Sequence, residues 1–294
     1  MHRNSHNEHQ ARRQRQSAHP MLHTADGRAS FLTAVSYLRA YSEYDHADSR
    51  TTARGRVRPR GAPVVRSPAG YWTRVARLLV EAGTPTTLWA RRDHVAAEIN
   101  AGSNERYVPG RRLPEGVSAT SDLGRAVEGA DLIVVAVPSQ SAREVLSPLQ
   151  GGLGPDVLAV SLMKGVELGT GLRMSQVLTE ALDLPAERVA VISGPNLADE
   201  IAARQPTATV VAATDEAVAA RVAALCATST FRPYTNTDVL GVELCGAIKN
   251  VIALAVGAAV GCGFGDNSKA TIITRGLVEI TRLGMALGAS PETF

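Results

Sequence analysis

The sequence predicts an α/β protein: a mainly parallel β-sheet covered by helices, followed by an all-helical segment. Three observations carry this reading. A helix-patterned stretch runs into a short strand through a glycine, four valine-rich apolar runs of strand length come next, and beyond about Asp238 strand patterning gives way to two long helical stretches.

Taken in order, residues 1 to 60 have low hydrophobicity. Apart from a short apolar patch at Phe31 to Leu38 they show neither helical nor strand period, so a disordered or aberrant segment is expected there. From Thr73, TRVARLLVEAG places Val75, Leu78 and Leu79 on one helical face and stops at Gly83, a residue suited to a left-handed cap. TTLWA then reads as a strand, which makes helix and strand the second half of a βαβ unit. The runs DLIVVAVPS (131 to 139), DVLAVSLMKG (156 to 165), RVAVISGPN (188 to 196) and ATVVAAT (208 to 214) are continuous and apolar, as strands buried on both faces are. VLGVELCGAIKNVIALAVGAAV and KATIITRGLVEITRLGMALG read as consecutive helices. The text then stops at Ser290-Pro291-Glu292-Thr293-Phe294, so the helical part is expected to be incomplete. The expected division is an N-terminal segment at 1–60, an α/β domain at 61–237 and the start of a helical domain at 238–294.

Composition narrows the function classes. A chain of 294 residues, 45% hydrophobic and 20% charged with net charge +3, has no strong pull toward nucleic acid or membrane. Six of the seven histidines and twelve arginines crowd into the first 66 residues. That stretch resembles an Arg-rich, acid-poor transit peptide but lacks a secretory apolar core. As a nucleic-acid-binding arm it lacks lysine, and no nucleic-acid partner is expected. Three dispersed cysteines form no C-x-x-C pair, which points away from disulfides and zinc and toward a reducing, cytoplasmic setting. The longest uncharged run near the C-terminus, Asn250 to Gly265, falls short of the roughly 20 residues of a membrane span, so none is expected.

Lysine occurs only at Lys164, Lys249 and Lys269, so each is a candidate for chemistry that arginine cannot do. Lys164 closes a strand at the edge where open α/β sheets bind ligands; it could hold a phosphate, polarise a carbonyl or simply face water. Gly194-Pro195-Asn196 is an unadorned turn that a small ligand can approach. Arg91 and Arg92 end the TTLWA strand, where an acid would bind a ribose 2′-hydroxyl and an arginine a 2′-phosphate. Lys249 has apolar neighbours on several helical faces. Either it is enclosed, so that desolvation lowers its pKa toward a useful range, or it snorkels to solvent.

Together SLMKGVELGT, VISGPNLADEIA, YTNTDVLGVELCGAIKNVIALAVG and GFGDNSKATIITRGLVEITRLGMALGASPETF resemble the bacterial-type NAD(P)-dependent glycerol-3-phosphate dehydrogenases. The resemblance runs from about Thr86 to Phe294, and GVELCGAIKN with GDNSKATIITRG is specific to that family. It implies a Rossmann-type sheet, a homodimer, and interconversion of dihydroxyacetone phosphate and sn-glycerol 3-phosphate for phospholipid synthesis. NADP(H) is the favoured cofactor and NAD(H) the second. By that likeness Lys249 matches the catalytic acid/base and Lys164 a contact to both substrate and cofactor. Gly194 and Asn196 match substrate contacts, while Ala198, Arg91 and Arg92 match cofactor contacts.

Two departures qualify the likeness. Where the family has a G-x-G-S-W-G turn, this chain reads PVVRSPAGYWTRV, with the single glycine Gly70 and with Pro68, which supplies no amide. The family's G-L-G-D-L and S-R-N motifs do not occur before Phe294. A disrupted reading frame upstream of Val75, or a natural extension with a diverged loop, would account for the first. An inactive fragment or pseudoenzyme that only self-associates is therefore the alternative function.

Overall fold

The computed structural model describes residues 62–65, 71–106 and 108–294. The expectations for residues 1–60 and for the turn at 66–70 lie outside the described residues. β1 (Ala62–Val65) and α1 (Tyr71–Glu81) open the fold. They are followed by β2 (Thr86–Trp89), α2 (Asp93–Asn100), β3 (Val117–Thr120), α3 (Leu123–Val127), β4 (Leu132–Val135) and α4 (Ala142–Leu146). Next come β5 (Leu158–Ser161), α5 (Met174–Leu182), β6 (Val189–Ser193), α6 (Ala198–Ala202), β7 (Thr207–Ala213), α7 (Glu216–Cys226) and β8 (Phe231–Asn236). Two long helices follow, α8 (Val239–Gly261) and α9 (Asp266–Ala286). The sheet and these helices belong to one compact unit.

The eight strands lie in the order β3-β2-β1-β4-β5-β6-β7-β8. Neighbours from β3 to β6 are parallel. β7 runs antiparallel to β6, and β8 runs parallel to β7. The apolar run at 208 to 214 is therefore a strand of reversed direction, because composition reports burial and not polarity of the chain. β3 (VSAT) and β8 (FRPYTN) escape sequence reading for another reason: both are half polar edge strands, and Pro233 is tolerated at an edge.

Alternation within the central strands builds two cores at once. Leu132 and Val134 join Val75, Leu78 and Leu79 of α1 on one face; Ile133 and Val135 join Val177 and Leu178 of α5 on the other. All four strand residues are buried to 2% exposure or less, which is why β4 reads as an unbroken apolar run. α1 ends as its sequence suggests, with Gly83 at φ +88° and the Thr84 amide donating to Leu79 O at 2.8 Å.

The reversal at β7 sets the direction of α8. β8 ends level with the middle of β6, since Asn236 pairs with Ala212 and Ala212 with Val191. α8 then climbs back along the sheet: Val242 packs on Val191 and Ala212, and Gly246 meets Ser193 at the end of β6. With 23 residues and mean hydropathy 1.9, α8 is long and apolar enough to cross a membrane by length and composition. Its first turns nevertheless pack on β6 and β7.

Asp238 caps that helix. Its carboxylate accepts from the Gly241 amide at 2.8 Å, the Ser290 amide at 2.9 Å and the Thr293 hydroxyl at 2.7 Å, tying the segment after α9 to the start of α8. Burial pushes the carboxyl up, but those three bonds and the charge of Arg173 outweigh it and hold the group below the usual aspartate value. A depressed folded-state pKa gives stability that is complete above the unfolded value, near pH 4, and is lost as pH falls through the folded value. Asp238→Ala is expected to cost about 1 kcal/mol at neutral pH. Urea melts from pH 7 to 3 should show a shallower acid loss in the variant, and parallel pH profiles would refute the assignment.

Candidate active site

β1 and β4 are neighbours, yet the chain leaves β1 toward β2 and leaves β4 toward β5. Such a reversal of winding opens a crevice at the carboxyl ends of the strands, and α1 directs its N-terminal amides to that end. β2 ends beside β1 at Trp89, whose indole donates to Ser121 O at 2.9 Å. Arg91 and Arg92 follow, both exposed. Arg92 occupies the N-cap of α2 without a side-chain cap bond, and neither guanidinium pairs with a described residue. Two forks with no partner among the described residues, and no acid before α2, suit a 2′-phosphate.

Lys164 lies just past β5, where Gly165 turns the chain at φ +128°, a conformation that excludes most side chains. The loop beyond is closed on itself: Val166 bridges Arg173, and the Glu167 amide donates to Leu172 O at 2.8 Å. Gln140 holds it from outside, donating to Val166 O and accepting from the Leu168 amide, both at 2.8 Å. The Arg143 fork donates twice to Glu167 at 2.9 Å and once to Glu180 at 2.8 Å. Arg143, with the Thr170 hydroxyl, keeps the Glu167 carboxyl below its usual range. Lys164 thus emerges from a fixed loop.

Its half-buried ammonium donates to Gly194 O at 3.0 Å. A Cβ on Gly194 would stand 3.0 Å from Thr209 Oγ1 and 3.1 Å from Thr209 Cα, so a side chain here would crowd β7. Asn196 folds inward: its amide nitrogen donates to Thr209 Oγ1 at 2.9 Å, and Thr209 in turn donates to Ser193 O at 3.2 Å. The Asn196 Oδ1 is buried without a partner. It borders an apolar cavity of about 30 Å³ under α1 and α7, and no hydrogen bond joins Asn196 to either lysine. Ala198 opens α6, two residues further on.

Lys249 comes to the same place from the other side. Gly246, one turn earlier on α8, is pressed against β6, where a Cβ would stand 2.5 Å from Ser193 Oγ and 3.7 Å from Lys164 Cγ. Burial first, and then the positive charge of Lys249, lower the Lys164 pKa below the ordinary lysine value. Of the two readings of Lys249 the structure gives the exposed one, and beyond Gly246 the helix packs chiefly on α9. Desolvation acts on Lys164 instead. The structure therefore gathers Lys164, Gly194 and Lys249, sets Asn196 behind them, and holds Arg91 and Arg92 at a separate strand end.

Sequence reading missed Gly246, Ser193 and the buried Glu243. Glu243 was detectable by the reasoning that singled out Lys249, since it too is a charge within an apolar helix. It is 8% exposed and accepts from the Ser175 amide at 2.7 Å, the Ser175 hydroxyl at 2.6 Å and the Arg173 guanidinium.

A 3-2-1-4-5-6 strand order, a crevice at the β1/β4 switch and cationic groups along its edge define a doubly wound dinucleotide-binding protein of the dehydrogenase class. Residues 68–219 match the NAD-dependent glycerol-3-phosphate dehydrogenase N-terminus and residues 238–294 its C-terminus. The chain belongs to the NAD(P)-dependent glycerol-3-phosphate dehydrogenase family. It is 56% identical over 227 residues to glycerol-3-phosphate dehydrogenase [NAD(P)+] of Streptomyces griseus, covering 76% of this chain and 68% of that one. The Thermobifida fusca protein of the same name is 54% identical over 229 residues, covering 77% and 68%. The crystal structure of glycerol-3-phosphate dehydrogenase from Coxiella burnetii superposes with TM-score 0.72 at 33% identity over 79% of this chain and 71% of that one. The Saccharomyces cerevisiae enzyme does so with TM-score 0.70 at 30% identity, over 80% and 73%.

The coupling between the two lysines is measurable directly. Removing the charge with Lys249→Met should raise the Lys164 pKa, because one of the two causes that lower it is gone. With only three lysines in the chain, [13Cε]lysine NMR titration resolves the site. An unchanged Lys164 titration would show that the two ammonium groups do not sense each other.

Proposed function

We propose that the chain interconverts dihydroxyacetone phosphate and sn-glycerol 3-phosphate with NADP(H), and less readily with NAD(H), supplying glycerophospholipid synthesis. The observation that carries the reading is the convergence of Lys164 and Lys249, from separate elements, at the carboxyl edge of the sheet. A nicotinamide cofactor held in the crevice would supply the hydride for C2 of the ketone. Lys249 donates the proton that the carbonyl oxygen needs as it becomes a hydroxyl, and takes it back in the reverse direction.

Lys164, held by Gly194 O, contributes a fixed positive charge for the substrate and for the nearby cofactor. Gly194 offers backbone at close range, and Asn196 supports the turn from behind while serving as the substrate contact its motif implies. Ala198 borders the cofactor. Arg91 and Arg92 engage the 2′-phosphate, which favours NADP(H) over NAD(H). Residues 61–237 then serve as the nucleotide-binding part and 238–294 as part of the substrate domain.

We also infer a homodimer in the cytoplasm. The exposed Val251, Leu254, Ile273 and Leu277 of α8 and α9 offer an apolar contact surface, and all three cysteines are free thiols. Light scattering should give twice the chain mass.

Purified protein is expected to oxidise NADPH when dihydroxyacetone phosphate is added, and Lys249→Met to lower kcat about 1000-fold. Arg91→Ala with Arg92→Ala should raise the KM for NADPH about tenfold or more while leaving that for NADH nearly unchanged. Turnover only with a 2-keto or 3-hydroxy acid would overturn the substrate assignment. A folded protein that binds no NADPH would establish the inactive alternative.

A further inference from the structure

Glu243 and its partners connect the two elements that carry the lysines. Ser175 and Arg173 lie at the N-terminal end of α5, Arg173 as its N-cap, so the carboxylate sits where helix amides and the helix dipole favour negative charge. Its contacts with Arg173 and Ser175 come from one short segment. That segment ends the closed loop that starts at Lys164, because Val166 bridges Arg173. On the other side, Glu243 and Lys249 ride on one unbroken helix, about 9 Å apart along its axis. Between them Gly246 packs against Ser193 and the aliphatic stem of Lys164.

We infer that Glu243 is a positioning residue: its buried carboxylate, gripped by Arg173 and Ser175, locks α8 to the loop that begins at Lys164 and so sets the separation of Lys164 from Lys249. The inference rests on the preceding reading, in which both lysines act on one substrate. An apolar side chain at this position would also hold α8 to the sheet. Replacing a buried ion pair by apolar groups is often neutral or stabilising, so what the charged grip adds is direction. A bidentate set of charge-assisted bonds fixes rotation and sliding of the helix, whereas packing of methyl groups resists only separation. The charges around this junction are few: Lys164 and Lys249 on one side, Arg173 and Asp238 on the other. Lys164 forms no ion pair with a described carboxylate, so its titration reports chiefly on its burial and on how close Lys249 stands.

The test compares Glu243→Gln with the double replacement Arg173→Met/Glu243→Met, in the full chain. The double variant removes both charges but leaves the Ser175 amide and hydroxyl without their acceptor, so it should stay folded with a modest fall in melting temperature. In both variants [13Cε]lysine NMR should show Lys164 titrating at higher pH, moving part of the way toward its position in Lys249→Met, and kcat should fall by up to about 100-fold with the KM for NADPH unchanged. Glu243→Asp, which keeps the charge, should recover part of both effects. An unmoved Lys164 titration in a folded variant overturns the inference, as does a moved titration with undiminished kcat. Should the wild type itself show no turnover, the catalytic reading fails; the lysine titration still decides whether Glu243 sets the spacing.

Discussion

The first turns of α8 lie against the sheet with almost no tolerance. Gly246 leaves no room for a methyl group beside Ser193, Val242 fills the space over Val191 and Ala212, and Glu243 is held from the side by Arg173 and Ser175. Below them Asp238 fixes the helix start and the segment after α9 together. A helix seated in this way has one height and one rotation. Since Lys249 lies on the same rigid rod, its location is decided before its own side chain makes any contact. The Lys164 side is equally constrained, by a loop that Gln140 and Arg143 hold from outside.

The electrostatics follow from this seating. The enclosed ammonium belongs to Lys164, which sits between β5, the Gly194 turn and the flank of α8, while Lys249 is exposed. Two positive groups of unequal exposure suit a phosphorylated ketone. The half-buried one costs free energy to keep charged and is relieved when an anion arrives. The basic groups at the β2 end form a second cationic area suited to a nucleotide phosphate.

Much of this was legible in the text of the chain. The valine-rich runs of β4, β5 and β6 announced a doubly covered sheet because their apolar residues alternate between cores on opposite faces, as Leu132 to Val135 do. Lys164 and Gly194 could be placed at a strand edge from local sequence alone. Whether they met Lys249 could not, since that depends on the register of α8 over β6, which no local pattern encodes. Direction was also hidden: β7 has the composition of its parallel neighbours and runs the other way. β3 and β8 are too polar to stand out. The exposure of Lys249 stays open on sequence alone, because an apolar helix does not say which of its faces are covered, and the second half of α8 packs chiefly on α9.

The backward run of β7 and β8 gives the molecule a built-in gauge. Because α8 starts below the carboxyl edge and ascends, its rise is matched to the sheet. From Val242 to Gly246 the helix gains about 6 Å, and from Val191 to Ser193 the strand gains about 7 Å. Length changes upstream, in α7 or its loops, leave this match untouched. A single residue added between Glu243 and Lys249 would turn the lysine by about 100° and lift it by about 1.5 Å. The spacing from Glu243 to Lys249 is therefore fixed to the residue, while the loops before it are free of that constraint.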